Sequence, residues 1–194
     1  HESIKDEFVT RLIEERLKTV KEGDLLDLDT NFGVLISEEA AKEVDQQVRH
    51  TVDQGARLVY GGVRKGAYYM PTVLDCCTRE MDICKNMEIF GPVFPIFTFK
   101  TLDEAIEIAE TSDYGLSSGV ITNNLQDAMK VAASLKTGMV AINGSGGFRA
   151  QELPFGGGKK MSGNSRECIS SVLEEVTQEK SIIFRYAMKK YNDA

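Results

Sequence analysis

The sequence predicts a three-layer α/β/α fold built on a mostly parallel β-sheet. Three observations carry that expectation. Residues 93–142 alternate between short runs rich in branched and aromatic residues and longer runs of helical period, in the order β-α-β-α-β. The helical runs are long enough to carry the chain back across a sheet, which makes the joined strands parallel. The composition is that of a globular chain, 42% hydrophobic and 27% charged over 194 residues, enough to enclose a core.

The elements follow in order. Ile4, Phe8, Leu12, Ile13, Leu17 and Val20 recur at helical spacing, and Gly23 follows them, so a helix is expected over about 4–21. Ser37 is a suitable N-cap for a second helix with Ala40, Ala41, Val44, Val48 and Val52 on its apolar face and Gly55 past its end. Residues 57–60 read as a strand closed by Gly61-Gly62. Residues 68–74 read as another, with Pro71 pushing part of it towards a sheet edge. Val93–Phe99 is strand-like. Thr101 with Glu104 forms a capping box for a helix bearing Ala105, Ile106 and Ala109. Ser118–Thr122 is the next strand, Asn124 caps a helix through Leu135, and Met139–Ile142 is a further strand. Residues 143–168 are rich in glycine and lack periodicity. A helix near 166–176 and a strand over Lys180–Arg185 close the chain. The organisation expected is a main unit over 1–165 and a C-terminal helix and strand over 166–194.

Charge and composition exclude several function classes. A net charge of −7 argues against a binder of phosphate backbones, so nucleic acid is not an expected partner. No apolar stretch reaches the length that spans a bilayer, so no membrane partner is expected. The opening HESIKDEF carries charge where a signal peptide has its apolar segment, and it lacks Met. Cys76, Cys77, Cys84 and Cys168 contain no C-x-x-C pair, which speaks against a zinc or thioredoxin-type site and for reduced thiols in a cytoplasmic protein. His1 and His50 lie apart from any acidic cluster in the sequence and read as surface residues, so no metal site is expected.

Two phosphate-binding patterns fail on inspection. Gly144-Ser145-Gly146 follows a strand, but the third glycine of a dinucleotide fingerprint is replaced by Arg149. Gly158-Lys159 lacks both the first glycine, replaced by Leu153, and the Ser/Thr of a phosphate loop, replaced by Lys160. The glycine-rich segment is therefore either a flexible surface turn or part of a crevice at the carboxyl ends of parallel strands. Glu88-Ile89-Phe90-Gly91-Pro92 is more telling. In an extended chain the Glu88 carboxylate and the Phe90 ring would point the same way, one able to accept hydrogen bonds from a ribose diol, the other to pack on a nicotinamide face. The plain alternative is a solvated Glu88 and a core Phe90.

Several collinear segments carry a resemblance: MEIFGPVFPI, AETSDYGLSSGV and LPFGGGKKMSGNSRE, together with HESIKDEFV, GARLVYGG, YYMPTVL and EVTQEKSIIF. In this order and at this spacing they resemble the NAD(P)-dependent aldehyde dehydrogenase superfamily, and they run over essentially the whole chain. The resemblance implies an aldehyde as small-molecule substrate, NAD or NADP as cofactor, and covalent chemistry in which a cysteine thiolate attacks the aldehyde, hydride passes to the nicotinamide, and a glutamate-activated water hydrolyses the thioester. It implies that Glu88 binds the nicotinamide ribose and that Phe90 lies beside the nicotinamide. Phe148 and Arg149 would shape the substrate tunnel and Phe155 would line its inner part. The final strand would pair with another subunit of a homo-oligomer.

The resemblance also marks what this sequence lacks. None of the four cysteines falls at the family's nucleophile position, and the water-activating glutamate, the oxyanion asparagine and the main dinucleotide-binding sheet have no counterpart, so only part of the cofactor site is expected and no catalytic residue. The departures within the matched segments are small: Gly33-Val34 where Gly-Pro is common, Gly158 before Lys159, and Cys168 after Arg166-Glu167. SGGFRAQELPFGG resembles lactaldehyde and non-phosphorylating glyceraldehyde-3-phosphate dehydrogenases. Arg149 would there meet an anionic or hydroxylated aldehyde, or else pair with Glu152 at the surface. Two other readings share these residues: a truncated paralogue serving as an oligomerisation or regulatory module, and an acylating dehydrogenase that uses coenzyme A.

Overall fold

The structure, a computed structural model, describes residues 1–158 and 160–185. Helix α1 (Lys5–Glu15) is shorter than its apolar period suggests: Arg16 leaves helical geometry and the chain tightens into a 3-10 turn, Leu17–Thr19, in which Leu17 is buried. Helix α2 (Glu38–Asp53) starts where Ser37 Oγ accepts the Ala40 N–H at 3.1 Å, as a Ser N-cap should. Its buried stripe is Ala41, Val44, Val48 and Thr51. Thr51, not the expected Val52, takes the last inward position, and its hydroxyl donates to the Gln47 carbonyl at 2.8 Å, which satisfies it inside the core. Gly55, at φ +113, ends the helix in a conformation that suits glycine.

The main sheet has the order β1 (Arg57–Tyr60), β4 (Thr72–Cys77), β5 (Val93–Phe97). β4 runs antiparallel to β1 and parallel to β5. Pro71 divides the expected strand over 68–74. Tyr68–Tyr69 (β3) pairs with Arg64–Lys65 (β2) in a small hairpin. The remainder becomes β4, which is central rather than an edge. The proline precedes the first rung, where Thr72 N–H donates to the Pro92 carbonyl at 2.8 Å, so it removes no ladder bond. Val73 and Leu74 are both fully buried, and Leu74 joins Val44 and Val48 of α2 in one core cluster.

Helix α3 (Asp82–Lys85) is a single turn that periodicity could not show. His50 is a surface residue, as read, with one acidic partner from this turn: its Nε2 lies 2.8 Å from Asp82 Oδ2, and Gln54 both donates to that carboxylate and accepts the Asp82 N–H. Helix α4 (Leu102–Glu110) begins at Thr101, whose Oγ1 accepts the Glu104 N–H at 3.2 Å, while Glu104 accepts the Lys100 N–H at 2.7 Å, one residue earlier than in a standard capping box. Strand β6 (Ser117–Val120), helix α5 (Leu125–Ser134, capped by Asn124) and strand β7 (Met139–Ile142) complete the predicted series, and β6 pairs with β7 in parallel. The series is therefore formed, but the sheet is not continuous. Among the described residues no ladder joins β5 to β6, because a crossover helix fixes the direction of the next strand and not its adjacency.

Helix α6 (Ile169–Val176) closes the regular structure. The expected strand over Lys180–Arg185 is not formed: Ile182, Ile183 and Phe184 are exposed in a segment without regular structure. A strand needs a neighbour to satisfy its backbone, and among the described residues no other strand lies beside it. Residues 186–194 fall outside the described residues. Among the described residues no helix is long and apolar enough to cross a membrane.

One buried carboxylate joins three elements. Asp75 on β4 is almost fully enclosed. Its Oδ2 accepts from Arg57 Nη2 of β1 at 2.6 Å and from Lys5 Nζ of α1 at 3.1 Å, and its Oδ1 accepts the Cys76 N–H at 2.8 Å. Burial alone would raise its pKa, but the hydrogen bonds from Arg57, Cys76 and Lys5 outweigh burial and hold it below the usual carboxylate value. A group whose native pKa is depressed stabilises the fold above its unfolded pKa and loses that contribution as pH falls through the native value. Asp75→Asn should thus lower stability in urea at pH 7 by on the order of 1–3 kcal/mol, and the gap from the parent should shrink below about pH 4. A gap that is independent of pH would show that the carboxylate charge contributes nothing.

Candidate cofactor and substrate site

Glu88 and Phe90 sit on the loop between α3 and β5. Ile89 between them packs against the core, and both neighbours stand exposed, Phe90 by 81%. The two side chains therefore share the outward side, as expected, but the backbone is not extended. Phe90 has φ +47, a left-handed conformation that a bulky residue adopts only when its surroundings impose it. The surroundings are clear. Ile89 is drawn inward, and Gly91 lies so close to α2 that a Cβ there would be 2.7 Å from Val44 Cγ2. Phe90 is held out between two inward anchors.

The glycine-rich segment is no flexible turn. It leaves the carboxyl end of β7 at Asn143, passes β6 where a Cβ on Gly119 would meet the Gly144 carbonyl, and returns to the amino end of β7. A Cβ on Gly156 would lie 2.0 Å from the Ser165 carbonyl oxygen, so backbone packs directly on backbone there. The return brings it to the same end of the strands as the Glu88 loop. Asp113 N–H donates to the Lys85 carbonyl at 2.7 Å, Met161 N–H donates to the Asp113 carbonyl at 2.9 Å, and Gly115 N–H donates to Ser162 Oγ at 2.9 Å. The crevice expected at the carboxyl ends of the strands is thus corrected: these loops meet at the amino end, because the segment doubles back. Lys159, the residue tested against the phosphate-loop pattern, lies outside the described residues.

Arg149 and Phe155 are brought together. The Arg149 guanidinium lies 4.7 Å from the Phe155 ring centroid, within cation–π range. Its Nη2 donates to Glu167 Oε2 at 2.8 Å, so its partner is Glu167 and not Glu152. Phe155 and Glu167 also exchange backbone hydrogen bonds at 2.8 and 2.6 Å. Phe148, next to Arg149, is 65% exposed. Glu167 is the residue that sequence reasoning missed. It lies 18 positions from Arg149, and no periodicity links the two.

All four cysteines are free thiols. Burial pushes Cys77 up to about 11 and raises Cys84 as well. Cys168 caps α6, accepting the Ser171 N–H, and its hydrogen bonding with the Ser170 and Ser171 side chains lowers it to about 7. Among the described residues no group of acidic, His or Cys side chains could hold a metal ion.

Fold and loops together place the chain among α/β proteins with parallel strand pairs and covering helices. The chain belongs to the aldehyde dehydrogenase family, whose family model matches residues 1–182. It is 38% identical over 183 residues to a 3-sulfolactaldehyde dehydrogenase of Priestia aryabhattai, covering 94% of this chain and 38% of that protein. A lactaldehyde dehydrogenase of Methanocaldococcus jannaschii is 40% identical over 182 residues, again 94% of this chain and 38% of that protein. Among solved structures, the glyceraldehyde-3-phosphate dehydrogenase GapN of M. jannaschii, complexed with NADP, superposes with a TM-score of 0.84 at 39% identity, over 90% of this chain and 37% of that one. The chain thus spans well under half the length of the relatives it matches.

Two outcomes test this geometry. Gly91→Ala should cost about 1–3 kcal/mol through overpacking against Val44, a fall in Tm of roughly 2–10 °C; an unchanged Tm would mean that the loop does not depend on that contact. Brief alkylation at pH 7 should label Cys168 before Cys77 and Cys84, read by peptide mass spectrometry, and early labelling of Cys77 would contradict its burial.

Proposed function

We propose that this chain is the part of an aldehyde dehydrogenase that supplies one wall of the cofactor and substrate site, in a protein that oxidises an aldehyde to a carboxylic acid with NAD or NADP through a cysteine thiohemiacetal and thioester. The observation that carries the reading is the loop at 88–91: a carboxylate and an aromatic ring held outward together, the ring on a strained backbone fixed by Ile89 and Gly91. Strain of this kind persists where structure imposes it and clusters at ligand sites. Glu88 accepts hydrogen bonds from the nicotinamide ribose hydroxyls, and the exposed Phe90 ring packs beside the nicotinamide. Their fit to the cofactor rests on donor and ring chemistry: a free carboxylate for a diol and an uncovered apolar face for a flat ring.

Phe148, Arg149 and Phe155 line the substrate side. Stacking on Phe155 and pairing with Glu167 fix the Arg149 guanidinium. That arrangement suits a small aldehyde bearing a hydroxyl or anionic group, and lactaldehyde, sulfolactaldehyde and glyceraldehyde-3-phosphate dehydrogenases among the relatives support it. The working protein is cytoplasmic and homo-oligomeric, with 166–194 as a C-terminal unit whose segment 180–185 becomes a strand on pairing with another subunit. Its exposed Ile182, Ile183 and Phe184 favour that role.

The nucleophile and general base are not among the matched residues, so the 194-residue chain should be inactive by itself. Purified chain mixed with lactaldehyde and NAD or NADP should give no protein-dependent reduced nicotinamide. Calorimetric titration should show a Kd on the order of 1 mM or weaker, weakened further by Glu88→Gln. Turnover, or micromolar binding indifferent to Glu88→Gln, would overturn the assignment.

A further inference from the structure

The glycine-rich segment opens on an asparagine-glycine pair to which the cofactor and substrate reading gives no role. Asn143 follows directly on β7 and is exposed. Its backbone is left-handed, at φ +54, a conformation that asparagine tolerates because its short side chain can hydrogen-bond locally. Here it bonds across the strand pair. Asn143 Oδ1 accepts the Thr122 N–H at 2.9 Å, and the Asn143 N–H donates to the Val120 carbonyl at 2.7 Å. The side-chain carbonyl is thus held in one orientation, while its amide nitrogen makes no hydrogen bond among the described residues.

The next residue supplies a nucleophile. The Gly144 N–H meets no acceptor among the described residues, and glycine has no Cβ to screen its nitrogen. The electrophile is Asn143 Cγ, one residue away along the chain. Covalent adjacency keeps the two within reach at little further cost in freedom. The Thr122 N–H already lies on the oxygen that becomes negative when Cγ is attacked. A fixed backbone donor at that place is the arrangement that stabilises a tetrahedral oxyanion.

We propose that Asn143-Gly144 is a site of self-modification, at which the chain converts its own asparagine to aspartyl and isoaspartyl residues with water as the co-reactant. Hydroxide takes the Gly144 N–H proton. The nitrogen attacks Asn143 Cγ, an N–C bond forms, and the Thr122 N–H holds the oxyanion. The bond from Cγ to Nδ2 then breaks, and the amide leaves as ammonia with a proton from water, which restores the hydroxide. A cyclic imide remains. Water adds to one of its two carbonyls and a ring C–N bond breaks. Addition at Cγ gives aspartate. Addition at the main-chain carbonyl gives isoaspartate, in which the chain runs through the side-chain carbon. Nothing is oxidised or reduced.

The isoaspartyl product adds a methylene to the main chain between β7 and the loop that bears Phe148 and Arg149. The packing has no slack for it: a Cβ on Gly119 would stand 2.6 Å from the Gly144 carbonyl oxygen. The loop has to shift, so the modification acts on the proposed substrate side. The chemistry itself does not depend on that assignment.

The test is incubation of the purified 194-residue chain in mildly alkaline buffer, followed by peptide mass spectrometry that separates the two isomers. The native chain should convert Asn143 at least as fast as the same chain unfolded in guanidinium chloride. Gly144→Ala, whose methyl meets Ala141 in ordinary contact, should keep its asparagine over the same interval. Thr122→Pro removes the oxyanion donor and should slow conversion of the native chain by about tenfold or more. Slower conversion in the native chain than in the unfolded one overturns the proposal, and that comparison decides even where Thr122→Pro does not fold. Equal rates in native parent and native Thr122→Pro overturn it as well.

Discussion

The carboxylate of Asp75, enclosed on the central strand and shared by Arg57 of β1 and Lys5 of α1, is the contact on which the arrangement of this chain turns. A buried charge must be paired or it expels the structure that buries it. Here the pairing fixes an antiparallel strand and the first helix to β4 at once. β4 can then bring β5 alongside in parallel, and β5 in turn receives the loop that carries Glu88 and Phe90. The position of that loop is thus set from the far side of the sheet.

The loop itself works by opposition. Ile89 enters the core and Gly91 lies against Val44, and these inward demands leave Phe90 only an outward path on a left-handed backbone. The glycine-rich segment reaches the same end of the strands because its glycines allow backbone to rest on backbone at Gly138, Gly156 and Gly157. Hydrogen bonds through Asp113 then tie both loops together. Rigid placement of exposed groups on a packed frame is what a binding surface requires.

The exposed apolar surfaces follow one logic. Phe90 and Phe148 stand exposed on their loops, Ile4 and Phe8 on the first turns, and Ile182 to Phe184 beyond α6. Each is a place where the chain ends its own packing and another surface is expected to begin.

Much of this was legible in the sequence. The caps at Ser37, Thr101 and Asn124, the strand Met139–Ile142 and the alternation over 93–142 are local signals, carried by side chains within four residues of one another, and they appear as read. The collinear motifs likewise identified the family, whose model matches residues 1–182. What local signals could not decide was partnership across the chain. Pro71 suggested an edge, but only pairing with Pro92 shows β4 to be central. Arg149 had a near neighbour in Glu152, but the fold brings Glu167 to it. Three consecutive strands suggested one sheet, but adjacency depends on which backbone edges meet, and among the described residues the second edge of β5 pairs with no other strand. Periodicity and capping are properties of a segment, whereas hydrogen-bond adjacency, buried-charge pairing and backbone contact between glycines are properties of distant segments brought together, which only the tertiary structure settles.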